Sequence, residues 1–164
     1  MVAILVTGMS GTGTSRALAE LATRGYRCVD TDYDGFSVES WSAEESRPEQ
    51  LWREDKIDEL LAQHEEKASA EPLFVAGCVS NQAKFFPRFA AVVLLSAPAE
   101  VLLERLATRV TNDFGKSTDE RDRILADLAA VEPLLRVSAS AEIDTRAPVT
   151  EVADRLVEIA RRAG

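Results

Sequence analysis

The chain has 164 residues, of which 46% are hydrophobic and 29% charged, so it holds enough apolar material for one full core and has the make-up of an ordinary globular domain. Its net charge of −9 excludes a nucleic-acid backbone as partner, which would need a basic face, but a small phosphorylated ligand needs only a local cluster of cations. Cys28 and Cys78 are too few for a disulfide framework and read as reduced, mostly buried thiols of a cytoplasmic protein.

The first element is a short apolar run over residues 2–6, read as a buried strand. It has no basic flank and feeds a glycine-rich turn, so no secretory signal is expected. Ala17, Leu18 and Leu21 then repeat at helical spacing. Residues 26–29 form a second short strand ending in Asp30-Thr31-Asp32. The stretch 37–49 is polar and expected to be mobile, and the spacing of Leu51, Ile57, Leu60 and Leu61 predicts a helix over 48–66. His64 reads as a lone histidine on a charged helix face, with no chemical role.

Residues 73–77 make a third strand, fully apolar, followed by the polar turn Ser80-Asn81-Gln82. Residues 90–95 are a fourth strand, and a helix over 98–109 has proline at its start. Pro98 and Glu100 interrupt this apolar stretch, which is too short to span a bilayer. A polar, glycine-containing break follows, then a helix from 117 to about 135 capped by Ser117-Thr118-Asp119-Glu120. Residues 142–144 form a fifth strand, and 149–161 a closing helix.

Strands alternate with helices, and continuously apolar strands belong to a parallel sheet covered on both faces. The expected fold is therefore α/β in three layers, with a five-stranded parallel sheet, as one domain over 1–164. Ligands bind at the carboxyl ends of such strands, where the glycine turn, Asp30, Asp32 and residues 77–82 all fall.

Strand, glycine turn and helix give meaning to the spacing of Gly8, Gly13 and Ser15, which fit G-x-x-x-x-G-K-[ST] except that Thr14 holds the lysine position. Glycines let backbone N–H groups turn inward and form an anion-binding concavity. The helix adds its unpaired N–H groups and its dipole. Gly8, Met9, Ser10, Gly11, Thr12, Gly13, Thr14 and Ser15 are thus the candidate phosphate cradle, with Ser15 at the magnesium-hydroxyl position. By analogy with deletion of one preorganised transition-state donor, loss of the lysine costs about 3 kcal/mol, roughly a hundredfold in rate. Binding should survive better than catalysis.

Asp30 and Asp32 suit two roles, turn formers after a strand or hard oxygen ligands beside the phosphates. Asn81 and Gln82 likewise suit either contacts to a polyol or base edge or a helix cap and its neighbour. Trp52 at helical spacing reads as core. Cys78 lies near the acceptor side, with no histidine close in sequence to activate it.

The loop at Gly8 to Ser15, Asp30-Thr31-Asp32, Val92-Val93-Leu94-Leu95 with Glu104-Arg105-Leu106 and Arg109, and Leu134-Leu135-Arg136 with Ile143-Asp144-Thr145 together resemble the small P-loop kinases of the shikimate, gluconate and nucleoside monophosphate group. The resemblance spans nearly the whole chain. It implies an ATP-dependent phosphotransferase using Mg2+, with a nucleoside triphosphate and a small-molecule acceptor as partners. In the D-x-D of such kinases one carboxylate serves the metal and the other the acceptor hydroxyl, which places Ser15 and Asp30 on magnesium and Asp32 on the acceptor. It also implies that Arg105 stacks on adenine, that Arg109 reaches the phosphates, and that Arg53, Gly77, Asn81 and Gln82 meet the acceptor; a short lid over 110–118 is expected to close and bring Lys116 or a neighbouring arginine, Arg121 or Arg123, onto the phosphates.

Three departures stand out. Thr14 replaces the lysine, Val131 stands where shikimate kinases place an arginine, and Gly77-Cys78-Val79 replaces a triple glycine. The resemblance therefore implies a chemistry without naming the acceptor, with activity reduced or compensated by lid cations ahead of Arg16, which helix geometry points away from Thr14. A nucleotide-binding sensor or regulatory subunit with little or no catalysis is the alternative. The chain is expected to be a cytoplasmic monomer or homodimer with no membrane or nucleic-acid partner.

Overall fold

The structure, a computed structural model, describes residues 2–9, 11–44, 46–67, 71–108 and 118–163. Its centre is β1 (Ala3–Thr7), buried at every position. The other strands of the main sheet are β2 (Arg27–Asp30), β5 (Leu73–Ala76), β6 (Ala91–Ser96) and β7 (Ala141–Asp144), in the order β2-β5-β1-β6-β7. All four pairings are parallel, with Ile4 opposite Phe74 on one side and Ala91 on the other.

Alternate residues of β1 face opposite layers, because successive strand side chains point to opposite faces. Ile4 and Val6 join Leu18 and Leu21 of α1 (Thr14–Thr23) and Leu156 of α5 (Val149–Ala163). Ala3 and Leu5 join Ile57 and Leu61 of α2 (Glu54–Glu66), with Trp52 and Phe85. Burial on both faces explains why β1, β5 and β6 read as unbroken apolar runs. The helices α3 (Ala99–Thr108) and α4 (Thr118–Ser138) complete the fold. No described helix is long and apolar enough to cross a membrane.

The expected helix over 48–66 is corrected. Residues 37–52 instead form an antiparallel hairpin of β3 (Ser37–Ser42) and β4 (Arg47–Trp52), with Trp41 opposite Pro48. Pro48, which suits the first turn of a helix, also suits an edge strand, where its missing N–H breaks no ladder. The helix begins only at Glu54, with Glu54 and Asp55 in its first turn facing the positive end of its dipole. The polar turn at 80–82 leads into a 3-10 helix, Gln82–Arg88.

His64 is not on a solvated face. It is 3% exposed, and Nε2 lies 2.9 Å from the Val2 carbonyl oxygen. Residues 110–117 of the expected lid, with Lys116 and also Arg109 and Ser10, lie outside the described residues.

Candidate functional site

The glycine turn leaves β1 at its carboxyl end. Gly11 (φ 86°) and Gly13 (φ 92°) hold left-handed backbone that a side chain would strain. A Cβ on Gly8 would meet the Leu95 carbonyl oxygen and Thr12 Oγ1, each at 2.5 Å. Thr12 is fully buried and closes the turn, its N–H and Oγ1 both donating to the Met9 carbonyl at 3.1 and 2.8 Å. Gly13 caps α1 without a side chain, which leaves the first N–H groups of the helix available to an anion.

The two aspartates sit beside this helix start. Ser15 Oγ donates to Asp30 Oδ2 at 2.8 Å, and the Asp32 N–H donates to Asp30 Oδ1 at 3.1 Å. Between them, Thr31 is fully buried and bonded on every side. Its N–H and Oγ1 donate to the Ala76 carbonyl at 3.0 and 2.7 Å, its carbonyl accepts from Ser37 Oγ at 2.6 Å, and its Oγ1 accepts from Trp52 Nε1 at 2.8 Å. A pinned threonine thus holds two carboxylates at the loop. Desolvation first, and then the neighbouring Asp30 charge, push the Asp32 carboxyl above the usual carboxylate range, although the residue keeps an exposed edge.

Loop and aspartates border one cleft of about 820 Å³. It brings together Gly8, Met9, Gly11, Gly13, Thr14, Ser15, Asp30, Asp32, Gly77 and Arg105. Gly77 leaves no room for a side chain, since a Cβ there would lie 2.5 Å from Thr31 Oγ1 and 2.9 Å from Trp52 Nε1. Arg105 borders the cleft, its Nη1 donating to the Gly11 carbonyl (3.1 Å) and Thr145 Oγ1 (2.9 Å) and its Nη2 to the Thr145 carbonyl (2.7 Å). These bonds tie the phosphate loop to the turn after β7. Arg16 borders the cleft too.

Three expected acceptor residues do not border the cleft. Arg53 is exposed and pairs with Asp55 at 3.5 Å. Asn81 Oδ1 accepts from the Trp52 N–H at 2.9 Å, while its Nδ2 donates to the Trp52 carbonyl and to Glu54. Gln82 is 2% exposed, donating to Thr7 Oγ1 and accepting from the Val79 N–H. The Asn81 amide braces the end of β4, and the Gln82 amide ties the turn after β5 to β1. Conversely, Tyr33, Gln50 and Asp127 border the cleft although no sequence pattern marks them, and Thr145, of the Ile143-Asp144-Thr145 segment, borders it as well. The hairpin and an Arg47–Asp127 ion pair of 3.2 Å, across 80 residues of sequence, bring Gln50 and Asp127 there, and no local pattern announces that.

A glycine loop joining a central parallel strand to a helix, with a serine on that helix and a carboxylate on the neighbouring strand, defines the P-loop fold. The chain belongs to the AAA domain family, whose match covers residues 4–126. Its structure is similar to that of shikimate kinase from Acinetobacter baumannii in complex with shikimate, with a TM-score of 0.60 and 19% identity over 97% of this chain and 92% of that one. Shikimate kinase from Bacteroides thetaiotaomicron gives a TM-score of 0.61 and 21% identity over 98% of each chain. A gluconokinase from Sinorhizobium meliloti 1021 gives 0.55 and 22% over 98% of this chain and 92% of its own. No curated protein matches the sequence significantly.

Proposed function

We propose that this protein is a magnesium-dependent phosphotransferase that moves the γ-phosphoryl group of ATP to a hydroxyl of a small acceptor. The contact that carries this reading is Ser15 Oγ to Asp30 Oδ2, 2.8 Å at the start of α1. It pairs a hydroxyl and a carboxylate, both hard oxygen donors, beside the phosphate cradle. The donor set fits Mg2+, which takes one or two protein oxygens and completes its shell with water and phosphate. The described residues hold no group of three or more His, Cys, Asp or Glu that would cage a metal alone. When bound, the metal neutralises charge on the phosphates.

The chain's own residues do the rest. The turn amides and the α1 N-terminus hold phosphate oxygens, and Arg105 fixes the turn through Gly11. The acceptor oxygen attacks Pγ, the bond from Pγ to the bridging oxygen of ADP breaks, and the hydroxyl proton passes to Asp32. A carboxyl whose pKa is pushed up makes a better proton acceptor near neutral pH. Thr14 brings no charge, so Arg16 and Arg105 are the described cations bordering the cleft. The free thiols of Cys28 and Cys78 suit a reducing, cytoplasmic compartment.

A second reading, a nucleotide-binding regulatory protein with little catalysis, is favoured by Thr14 alone. Magnesium-dependent ADP release across a panel of nucleosides, nucleotides and polyols separates the two. Turnover above that of a Ser15→Ala, Asp30→Ala double variant supports transfer, and Thr14→Lys should raise it by about a hundredfold. ATP binding without turnover above the double variant favours the regulatory reading.

A further inference from the structure

We propose that the acceptor carries no anionic group: it is a neutral or amine-bearing hydroxyl compound held among Asp32, Tyr33 and Gln50. This rests on the phosphotransfer reading and deepens it. The cleft is divided by charge. Among the described residues, the cations that border it, Arg16 and Arg105, belong to the phosphate-loop side, and Arg105 is bonded to Gly11 and Thr145. On the hairpin side the border is formed by Asp32, Tyr33, Gln50, Cys78, Val79 and Asp127, which offer carboxylate, phenol, amide and thiol.

The cations on the elements around that side are turned to other uses. Arg47 pairs with Asp127 at 3.2 Å, Arg53 with Asp55 at 3.5 Å, and Lys84 with Glu54 at 3.0 Å. Lys56 donates to the Asp34 carbonyl at 2.9 Å and sits over the Phe36 ring. None of the four borders the cleft. A carboxylate or phosphate on the acceptor would therefore meet the Asp32 carboxylate, where like charges repel, while the Arg47 charge is already matched by Asp127.

An uncharged hydroxyl compound meets no such penalty. Its reacting O–H donates to Asp32, and its other polar groups find both a donor and an acceptor in the Gln50 amide. Tyr33, 64% exposed, offers an open aromatic face for a ring or, through its quadrupole, for an ammonium group. The step balances as written above, with the acceptor proton on Asp32 and ADP as the leaving group.

The test is calorimetric binding to the full chain with Mg2+ and a non-hydrolysable ATP analogue, using acceptors matched in size: glucose, glucosamine and gluconate, then uridine and uridine monophosphate. The neutral or amine member of at least one set should bind about tenfold tighter than its anionic counterpart. Gln50→Arg, at an exposed edge-strand position, should shift affinity toward the anionic member while unfolding like the parent. Equal or tighter binding of the anionic members overturns the proposal, and so does binding of none of them. If the preference holds but no ADP forms above the Ser15→Ala, Asp30→Ala variant, the charge selectivity of the cleft stands and the phosphotransfer reading fails.

Discussion

Trp52 Nε1 donates a 2.8 Å hydrogen bond to Thr31 Oγ1, and both residues are buried. This bond joins the last residue of the hairpin to the turn that carries Asp30 and Asp32, so the support of the acceptor side and the candidate metal site share one atom. Thr31→Val would leave the indole N–H buried without a partner and also lose the bond to Ala76, a cost of about 1–3 kcal/mol. Urea unfolding should register that loss, whereas Thr31→Ser should restore most of it. Magnesium affinity in the presence of ATP should fall with Thr31→Val and recover with the serine.

Gly8→Ala should abolish nucleotide binding. The new methyl group would press on a backbone carbonyl, that of Leu95, and a backbone atom cannot swing aside as a flexible side chain can. Overpacking costs about 1–3 kcal/mol where the chain can adjust. Titration with a fluorescent ATP analogue is the measurement. Gly25→Ala, at a left-handed turn remote from the cleft, is the control: it should lower the melting temperature and leave nucleotide affinity close to the parent's.

His64 should make stability fall as the solution is acidified. Burial holds its imidazole below the usual value of 6.5, and the bond to Val2 opposes that shift without cancelling it. Its Nδ1 is buried with no hydrogen-bond partner among the described residues. The unfolded chain takes up a proton as the pH drops through about 6.5 while the folded chain resists until lower pH, so the contribution is complete above 6.5 and declines below it. His64 is the sole histidine. The unfolding free energy measured from about pH 7.5 to 5.5 should slope less in His64→Gln than in the parent.

The two cysteines should report on the cleft. Burial pushes the Cys28 thiol up to about 11, so it should stay unmodified by iodoacetamide at neutral pH until the chain unfolds. Cys78 borders the cleft and is exposed, although desolvation raises its pKa against the hydrogen bonding at Thr7 and Gly8. It should react slowly, and an occupied acceptor side should slow it further. Mass spectrometry of partially labelled protein checks both. Equal labelling of the two thiols in the native state would contradict the placement of Cys28.

The central sheet and the phosphate loop were legible in the sequence because their causes are local. Leu5, Val75 and Val93 are buried whichever face they occupy, which leaves a continuous apolar run, and the loop's glycines and Ser15 act at fixed spacing. The hairpin was not legible. Val38 and Trp41 point outward, 45% and 65% exposed, so the apolar residues of β3 do not mark a buried face. Pro48 ahead of Leu51 imitates a helix start. Asn81 and Gln82 were placed correctly beside the third strand, but their partners Trp52 and Thr7 lie 29 and 75 residues away, and only the folded chain shows that their amides are committed to the backbone and to β1. Arg105 is marked by the family resemblance, yet its partners Gly11 and Thr145 make it a tie between two turns.

Among the described residues the hairpin forms a sheet of its own, paired with none of the five parallel strands, while Gln50 and the Arg47 partner of Asp127 both come from its second strand. Residues 37–52 are thus a cassette. In the proposed reaction its second strand would supply one wall of the acceptor side, beside Asp32, Tyr33 and Asp127 from other elements, so exchanging this single short segment would reshape that wall and leave the phosphate loop untouched.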